Sequence, residues 1–239
     1  LFALSFVPHA NAQPLPEGAH QIQLAYVDSG NARINTIAEN GLRSLGLVLT
    51  TRTTIEPAMP KKVNPAVDDL GYYPVLYWQV MPNLGNITEK GAQSLRRYVD
   101  NGGVILLDGL SDLGPATNAM KLVLNQILPF PLRALDGNHV LNRTYYLLEG
   151  KTPGRNDGTL RIDTAHRLPR VLTANNDWAG AWAYDDNGNA MRAVTPGGEQ
   201  QRDIAFRFGV NVVMYALLGD YKADQLHVDT LLKKLEDVR

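Results

Sequence analysis

The stretch YVDNGGVILLDGLSD (residues 98–112) decides the fold class, because it joins a helix end, a buried strand and two carboxylates. The glycine pair 102–103 is typical of a helix that ends in a left-handed cap. The apolar run 104–107 is typical of a strand covered on both faces of a parallel sheet. Asp108 and Asp112 follow at the carboxyl end of this strand, the edge where α/β proteins bind their ligands.

Strands and helices alternate along the first half of the chain. This alternation predicts an α/β domain with a mainly parallel sheet covered on both faces. Asp28, Trp78 and Asp108 are then expected near the carboxyl edge of that sheet. The predicted strands are 21–28, 72–80 and 104–107, and the predicted helices are 31–49, one opening at Thr88, and 116–128.

The second half is less regular, and its turn signals predict an added β-hairpin. Asn187-Gly188 is a strong hairpin turn, and we expect its strands at 181–184 and 191–194. A helix is predicted from Glu199 to a cap at Gly219, followed by an amphipathic helix over 225–238. The absence of a linker-like stretch predicts one domain over residues 17–239.

Composition excludes several classes of function. The 239 residues carry a net charge of −1, unlike the strongly basic domains typical of nucleic-acid binders, so we predict no nucleic-acid partner. The chain has no cysteine, which excludes thiol catalysis and thiolate zinc sites. No cofactor-binding or metal-binding motif occurs, and we predict neither a cofactor nor a metal.

Residues 1–16 open with an apolar run, and 10–12 (Ala-Asn-Ala) match the small-x-small pattern of a signal-peptidase site. We expect this segment to be the tail of a leader or membrane segment and its linker. The alternative is an N-terminal arm that packs on the domain.

Known catalytic loops do not fit residues 109–115. A nucleophile elbow requires glycine where Leu113 stands, and a phosphate-binding loop requires lysine where Pro115 stands. Asp108 and Asp112 remain candidates for an acid–base pair or a hard-cation site. The alternative is structural: Asp108 binds backbone amides and Asp112 caps a helix.

Two further groups of residues are candidates for ligand contact. His139 and Arg143 are four apart, so on a helix they share a face that suits an anion or supports catalysis. Asp177 and Trp178 lie in the aromatic stretch NNDWAGAWAY (175–184), a composition typical of sugar-contacting surfaces and equally of packed hairpins.

The stretches LAYVDSG (24–30), YVDNGGVILLD (98–108) and GGEQQRDIAFRFGVNVVMYALLGDYKADQLHV (197–228) resemble the bacterial family called domain of unknown function 4159. The resemblance implies a three-layer flavodoxin-like fold, similar to class I glutamine amidotransferases. In those enzymes the strand leads to a nucleophilic cysteine, and the corresponding place here is Asp108-Gly109. Many family members resemble membrane proteins of the aerotolerance-operon type, which implies a membrane anchor upstream of this chain.

Three functions follow as hypotheses. The first is a non-catalytic domain on the periplasmic side of the inner membrane that binds a carbohydrate, another small molecule or an envelope protein. Its expected cleft contains Asp108, Asp112 and Trp78, with His139 and Asp177 beside them. The second is an acid–base hydrolase of glycans that uses Asp108 and Asp112. The third is a structural domain of an envelope complex without a small-molecule site.

Overall fold

A computed structural model of the chain describes residues 21–109, 117–128 and 131–236, with side chains from 118 in the second segment and up to 218 in the third. The expected leader segment over residues 1–16 lies outside the described residues, and so does Asp112. The strands are β1 (Gln23–Val27), β2 (Ala58–Val63), β3 (Val75–Val80), β4 (Val104–Gly109), β5 (Leu132–Ala134), β6 (Arg161–Asp163) and β7 (Val171–Ala174). The helices are α1 (Ala32–Arg52), α2 (Glu89–Asp100), α3 (Thr117–Ile127), α4 (Trp178–Trp182) and α5 (Gly198–Glu236), with short 3₁₀ turns at Leu70–Tyr72 and Val140–Arg143.

The seven strands form one sheet in the order β2-β1-β3-β4-β7-β6-β5. The first five strands of that order are parallel, whereas β6 pairs antiparallel with both β7 and β5. The parallel part has the strand order of a flavodoxin-like fold, and the order of connections reverses between β1 and β3. The predicted α/β fold with a mainly parallel sheet is confirmed.

The sheet separates two apolar clusters. One lies on the face that carries α1, α4 and α5, and includes Tyr77, Leu106 and Trp182. The other lies on the face that carries α2 and α3, and includes Trp78 and Leu107. Because side chains alternate along a strand, neighbours such as Tyr77 and Trp78 enter opposite layers.

The opening stretch folds as its glycines predict. Gly102 has a φ of 95°, in the left-handed region that ends helix α2. A Cβ atom at Gly103 would lie 2.2 Å from the ring of Tyr98, so only glycine lets the chain pass this ring and enter β4.

The structure corrects three expectations. The sequence predicts a loop over 56–66, because this stretch contains proline and lysine. The structure has the edge strand β2 there, and its Pro60, Lys61 and Lys62 are typical of an edge protected from further pairing. The expected hairpin is absent from the described residues: 178–182 is helical, and only Tyr184 and Ala190 form a bridge around the turn. The antiparallel addition to the sheet is β5 and β6 instead.

The third correction concerns the C-terminal helices. Helix α5 runs without a break from Gly198 to Glu236, so Gly219 does not end it. A glycine inside a helix costs about 1 kcal/mol relative to alanine, which is small enough for the helix to continue through it.

No described helix is long and apolar enough to cross a membrane.

Candidate functional site

Asp108 lies at the end of β4 and is completely buried. Its Oδ1 atom accepts the backbone N–H groups of Asn176 at 3.0 Å and Asp177 at 2.9 Å. Its Oδ2 atom accepts the backbone N–H of Trp178 at 2.6 Å and the hydroxyl of Tyr77 at 2.8 Å. Both oxygens therefore bind the loop that follows β7, and neither reaches solvent.

The electrostatic surroundings of Asp108 do not make it a catalytic acid. Burial raises the pKa of Asp108 to about 8 and the nearby Asp177 carboxylate adds to the rise, while the Tyr77 hydroxyl and the amides of Trp178 and Asp177 oppose it. A raised carboxyl pKa often marks a general acid. General acids must also reach a substrate, and a fully covered carboxyl group held by four donors does not.

Asp177 belongs to the same buried network. Its backbone is left-handed, with a φ of 50°, and its carboxylate caps α4 by accepting the Gly180 N–H at 3.2 Å. The carboxylate also accepts Gln79 Nε2 and Arg155 Nη1, both at 2.8 Å. The side chain is fully buried, so Asp177 shapes the loop and does not line an open cleft.

The space beside Gly109, at the carboxyl end of β4, is filled. A Cβ atom at Gly109 would lie 1.8 Å from Asn175 Oδ1, so no side chain fits at position 109 while Asn175 stays there. The buried Oδ1 atom of Asn175 has no hydrogen-bond partner among the described residues. The chain has no cysteine, and this packing leaves no space for a side chain at position 109.

Trp178 is part of the core and does not contact solvent. Its ring stacks on Phe208 with a centroid distance of 4.9 Å, and its Nε1 donates to the Thr152 carbonyl at 3.0 Å. Its exposure is zero, so the expectation that Trp178 contacts a sugar is wrong for this structure. The aromatic stretch belongs to packing, which was the alternative that the sequence left open.

His139 and Arg143 have separate structural positions. His139 precedes the 3₁₀ turn Val140–Arg143, and its Nδ1 accepts the Leu141 N–H at 3.2 Å. Burial and the charge of Arg133 lower the pKa of His139 to about 4, against a smaller opposing effect of Asp136. Arg143 is exposed, and its Nη2 donates to Asn138 Oδ1 at 3.3 Å. None of their described hydrogen bonds reaches the Asp108 network.

Trp78 borders a crevice of about 400 Å³ at the carboxyl ends of β1 and β3. The floor of the crevice is apolar, and its rim carries amide, hydroxyl and carboxylate groups from three strand ends and the start of α2. This is the position where flavodoxin-like sheets bind ligands, because the connections diverge there. The lining residues include Val27, Asp28, Asn64, Trp78, Leu84, Asn86, Thr88 and Leu95.

Asp28 is the charged group among the described residues that line this crevice. Its Oδ1 atom accepts Asn35 Nδ2 at 2.7 Å and the Gly30 N–H at 2.9 Å, and Lys62 Nζ lies 3.6 Å from Oδ2. The Asn35 bond and then the Gly30 bond lower the pKa of Asp28, so the group is ionised near neutral pH. The sequence predicts Asp28 and Trp78 at this edge but does not identify Asn64, Asn86 and Thr88 as part of the crevice. Asn64 follows β2, and Asn86 and Thr88 lie between β3 and α2.

The sequence of the chain matches the model of a known protein family. The family model of a domain of unknown function (DUF4159) matches residues 23–217. The chain belongs to the DUF4159 family. The DUF4159 match extends from β1 into α5, so it includes both the Asp108 network and the crevice. A comparison with curated proteins finds no match.

Proposed function

We propose that this DUF4159 chain is a non-catalytic binding domain that faces the periplasm as part of a membrane-anchored bacterial protein. The observation that carries the proposal is that the carboxyl group of Asp108 is fully buried and that its two oxygens accept four hydrogen bonds. The resemblance to amidotransferases implies a nucleophile at the end of β4. In this chain the end of β4 packs against the loop before α4. The acid–base hydrolase is not favoured, because its first acid does not reach solvent.

The binding site in this proposal is the crevice beside Trp78. It has the features of a small-molecule site: a concave shape, an apolar floor and a few convergent polar groups. Its volume of about 400 Å³ suits a ligand of the size of a sugar or a small polyol. Trp78 is only 3% exposed, so it supplies the floor and leaves the polar contacts to other residues.

The charge of the crevice favours a neutral polar ligand. Asp28 presents an ionised carboxylate that repels anions, and the nearby Lys62 reduces the attraction for cations. The amide of Asn86 and the hydroxyl of Thr88 are suited to the hydroxyl groups of a carbohydrate. Because Thr88 also accepts the Gly91 N–H at 3.2 Å, its hydrogen remains available to a ligand.

The test is a titration of the full chain with glucose and N-acetylglucosamine, monitored by amide NMR shifts. We expect shifts at Asp28, Gly30 and Asn86 that saturate, and weaker binding after Asn86→Ala or Asp28→Asn. Asp186→Asn is the matched control, since Asp186 is also an exposed acid paired with a basic side chain, Arg43 at 2.7 Å. Saturating shifts confined to other regions, or no shifts with either sugar, would remove the carbohydrate site.

The periplasmic location rests on the resemblance to membrane-anchored proteins and on the leader-like residues 1–16. A topology reporter tests it in the full-length protein. Alkaline phosphatase fused after residue 239 should be active and green fluorescent protein dark, as expected for export through the general secretory route. The opposite pattern would place the domain in the cytoplasm without affecting the binding proposal.

A further inference from the structure

One wall of the crevice is formed by residues 82–87, which lie between β3 and α2, and by Thr88, the N-cap of α2. Asn86, Ile87 and Thr88 line the crevice in succession. Asn86 and Thr88 are exposed, whereas the side chain of Ile87 is half-buried against the apolar cluster that includes Trp78. The two residues that the proposed function assigns to a polar ligand therefore flank one residue that is anchored in the core.

The backbone of Ile87 is held by a side chain of α3. The Ile87 N–H donates to Gln126 Oε1 at 3.0 Å, and Gln126 Nε2 donates to the Ile87 carbonyl at 2.9 Å. A primary amide carries both an acceptor oxygen and a donor nitrogen, so one Gln126 side chain satisfies both backbone groups of Ile87. Between described residues, these two hydrogen bonds are the ones that join residues 82–87 to another element of the fold.

Gln126 is itself fixed where α3 meets α2. It lies in the last turn of α3, and its backbone carbonyl accepts Nη1 of Arg96 from α2. Carbonyl groups in the last turn of a helix have no partner within that helix, so Arg96 satisfies one of them. Nη2 of the same guanidinium donates to the Glu89 carboxylate at the start of α2. Gln126 therefore projects toward the wall of the crevice from a junction at which two helices are hydrogen-bonded.

We propose that Gln126 is a positioning residue of the crevice. By holding the backbone of Ile87, it fixes the residues on either side, Asn86 and Thr88, whose side chains contact the ligand in the proposed function. The inference rests on that function. Ordering a loop on binding costs free energy, so a wall that is already held in place gives a ligand higher affinity. Gln126 does not line the crevice, and its effect on binding is therefore indirect.

Amide hydrogen exchange of the full chain without ligand tests the contact itself. Gln126→Met keeps the length of the side chain but removes both hydrogen bonds. We expect the Ile87 amide to exchange at least about tenfold faster in this variant, because the bonds that oppose local opening are lost. Gln93→Met is the matched control, since Gln93 is an exposed glutamine of α2 that does not line the crevice.

The amides of β4 are the internal reference, because exchange in a core strand reports unfolding of the whole domain. Gln126→Met should accelerate exchange at Ile87 much more than in β4, and Gln93→Met should change neither. Unchanged exchange at Ile87, or an equal acceleration at Ile87 and in β4, would overturn the proposal.

Titration with N-acetylglucosamine measures the consequence for the ligand. Gln126→Met should weaken binding about five- to tenfold, and Gln93→Met should not weaken it. In an Asn86→Ala background the loss caused by Gln126→Met should be smaller, because one of the side chains that Gln126 positions is already absent. The same loss in both backgrounds would overturn the proposal.

Failure of the positioning role is distinguishable from failure of the proposed function. If the natural protein binds neither glucose nor N-acetylglucosamine, the carbohydrate site is removed, and the exchange comparison alone decides whether Gln126 holds Ile87. If the natural protein binds the sugar and Gln126→Met binds it as tightly, the site stands and the positioning role is wrong.

Discussion

The Oδ2 atom of Asp108 accepts the backbone N–H of Trp178 at 2.6 Å, and this bond joins the end of β4 to the start of α4. The loop from Asn175 to Trp178 thereby covers the carboxyl end of β4. A carboxylate in this position supports the fold, and its removal should affect stability before any ligand binding.

Asp108→Ala should lower the free energy of unfolding by at least about 3 kcal/mol. Each buried donor left without an acceptor costs about 1–3 kcal/mol, and this variant leaves three amides and the Tyr77 hydroxyl without one. Urea unfolding followed by circular dichroism measures the change. Asp186→Ala, at an exposed position, should change stability by less than about 0.5 kcal/mol. Equal stability of the Asp108→Ala variant and the natural protein would contradict the structural role.

Gly109→Ala should destabilise the domain by about 1–3 kcal/mol, as is usual when a methyl group is forced into a packed core. The new Cβ would lie 1.8 Å from Asn175 Oδ1, which is a severe overlap. It would lie 3.2 Å from the Asn175 Cβ, the atom that alanine keeps, which is a much milder contact. Asn175→Ala should therefore recover part of the loss in the double variant. A double-mutant cycle of unfolding free energies measures the coupling, which is zero if the two positions do not touch.

Protonation of His139 should destabilise the fold at mildly acidic pH. The pKa is about 4 in the folded state and about 6.5 in the unfolded chain, so between these values only the unfolded chain binds the proton. Its contribution to stability therefore rises with pH from about 4 to about 6.5 and is constant above. His139→Asn keeps an acceptor for the Leu141 N–H without the titration. The stability difference between the two proteins should change with pH in this window, and a constant difference would exclude His139.

The sequence predicts the parallel part of the fold because its signals are local. The glycine pair 102–103 and the apolar run 104–107 specify a helix end and a buried strand without reference to the rest of the chain. By contrast, β2 was missed because Pro60 and two lysines resemble a loop, although an edge strand tolerates both. The aromatic stretch was ambiguous, since burial of Trp178 and Trp182 depends on contacts with α5.

The candidate site was predictable only in part. Asp108 and Trp78 can be identified as candidates because each lies at or near the end of a predicted strand. The alternation of side chains along a strand predicts that they face opposite sides of the sheet, but it does not predict which other residues pack over them. The backbone N–H groups that bind Asp108 belong to residues 176–178, which are far from it in the sequence. No local sequence pattern predicts this long-range contact. Asp28 and Trp78 reach the same crevice because β1 and β3 are neighbours in the sheet.

Amide hydrogen exchange distinguishes a closed strand end at Asp108 from an open one. The N–H groups of Asn176, Asp177 and Trp178 should exchange only through global or near-global unfolding, because Asp108 accepts all three inside the core. In the Asp108→Ala variant the three amides should lose this protection together. Exchange of these three amides in the natural protein at rates typical of an exposed loop would show that the end of β4 is open.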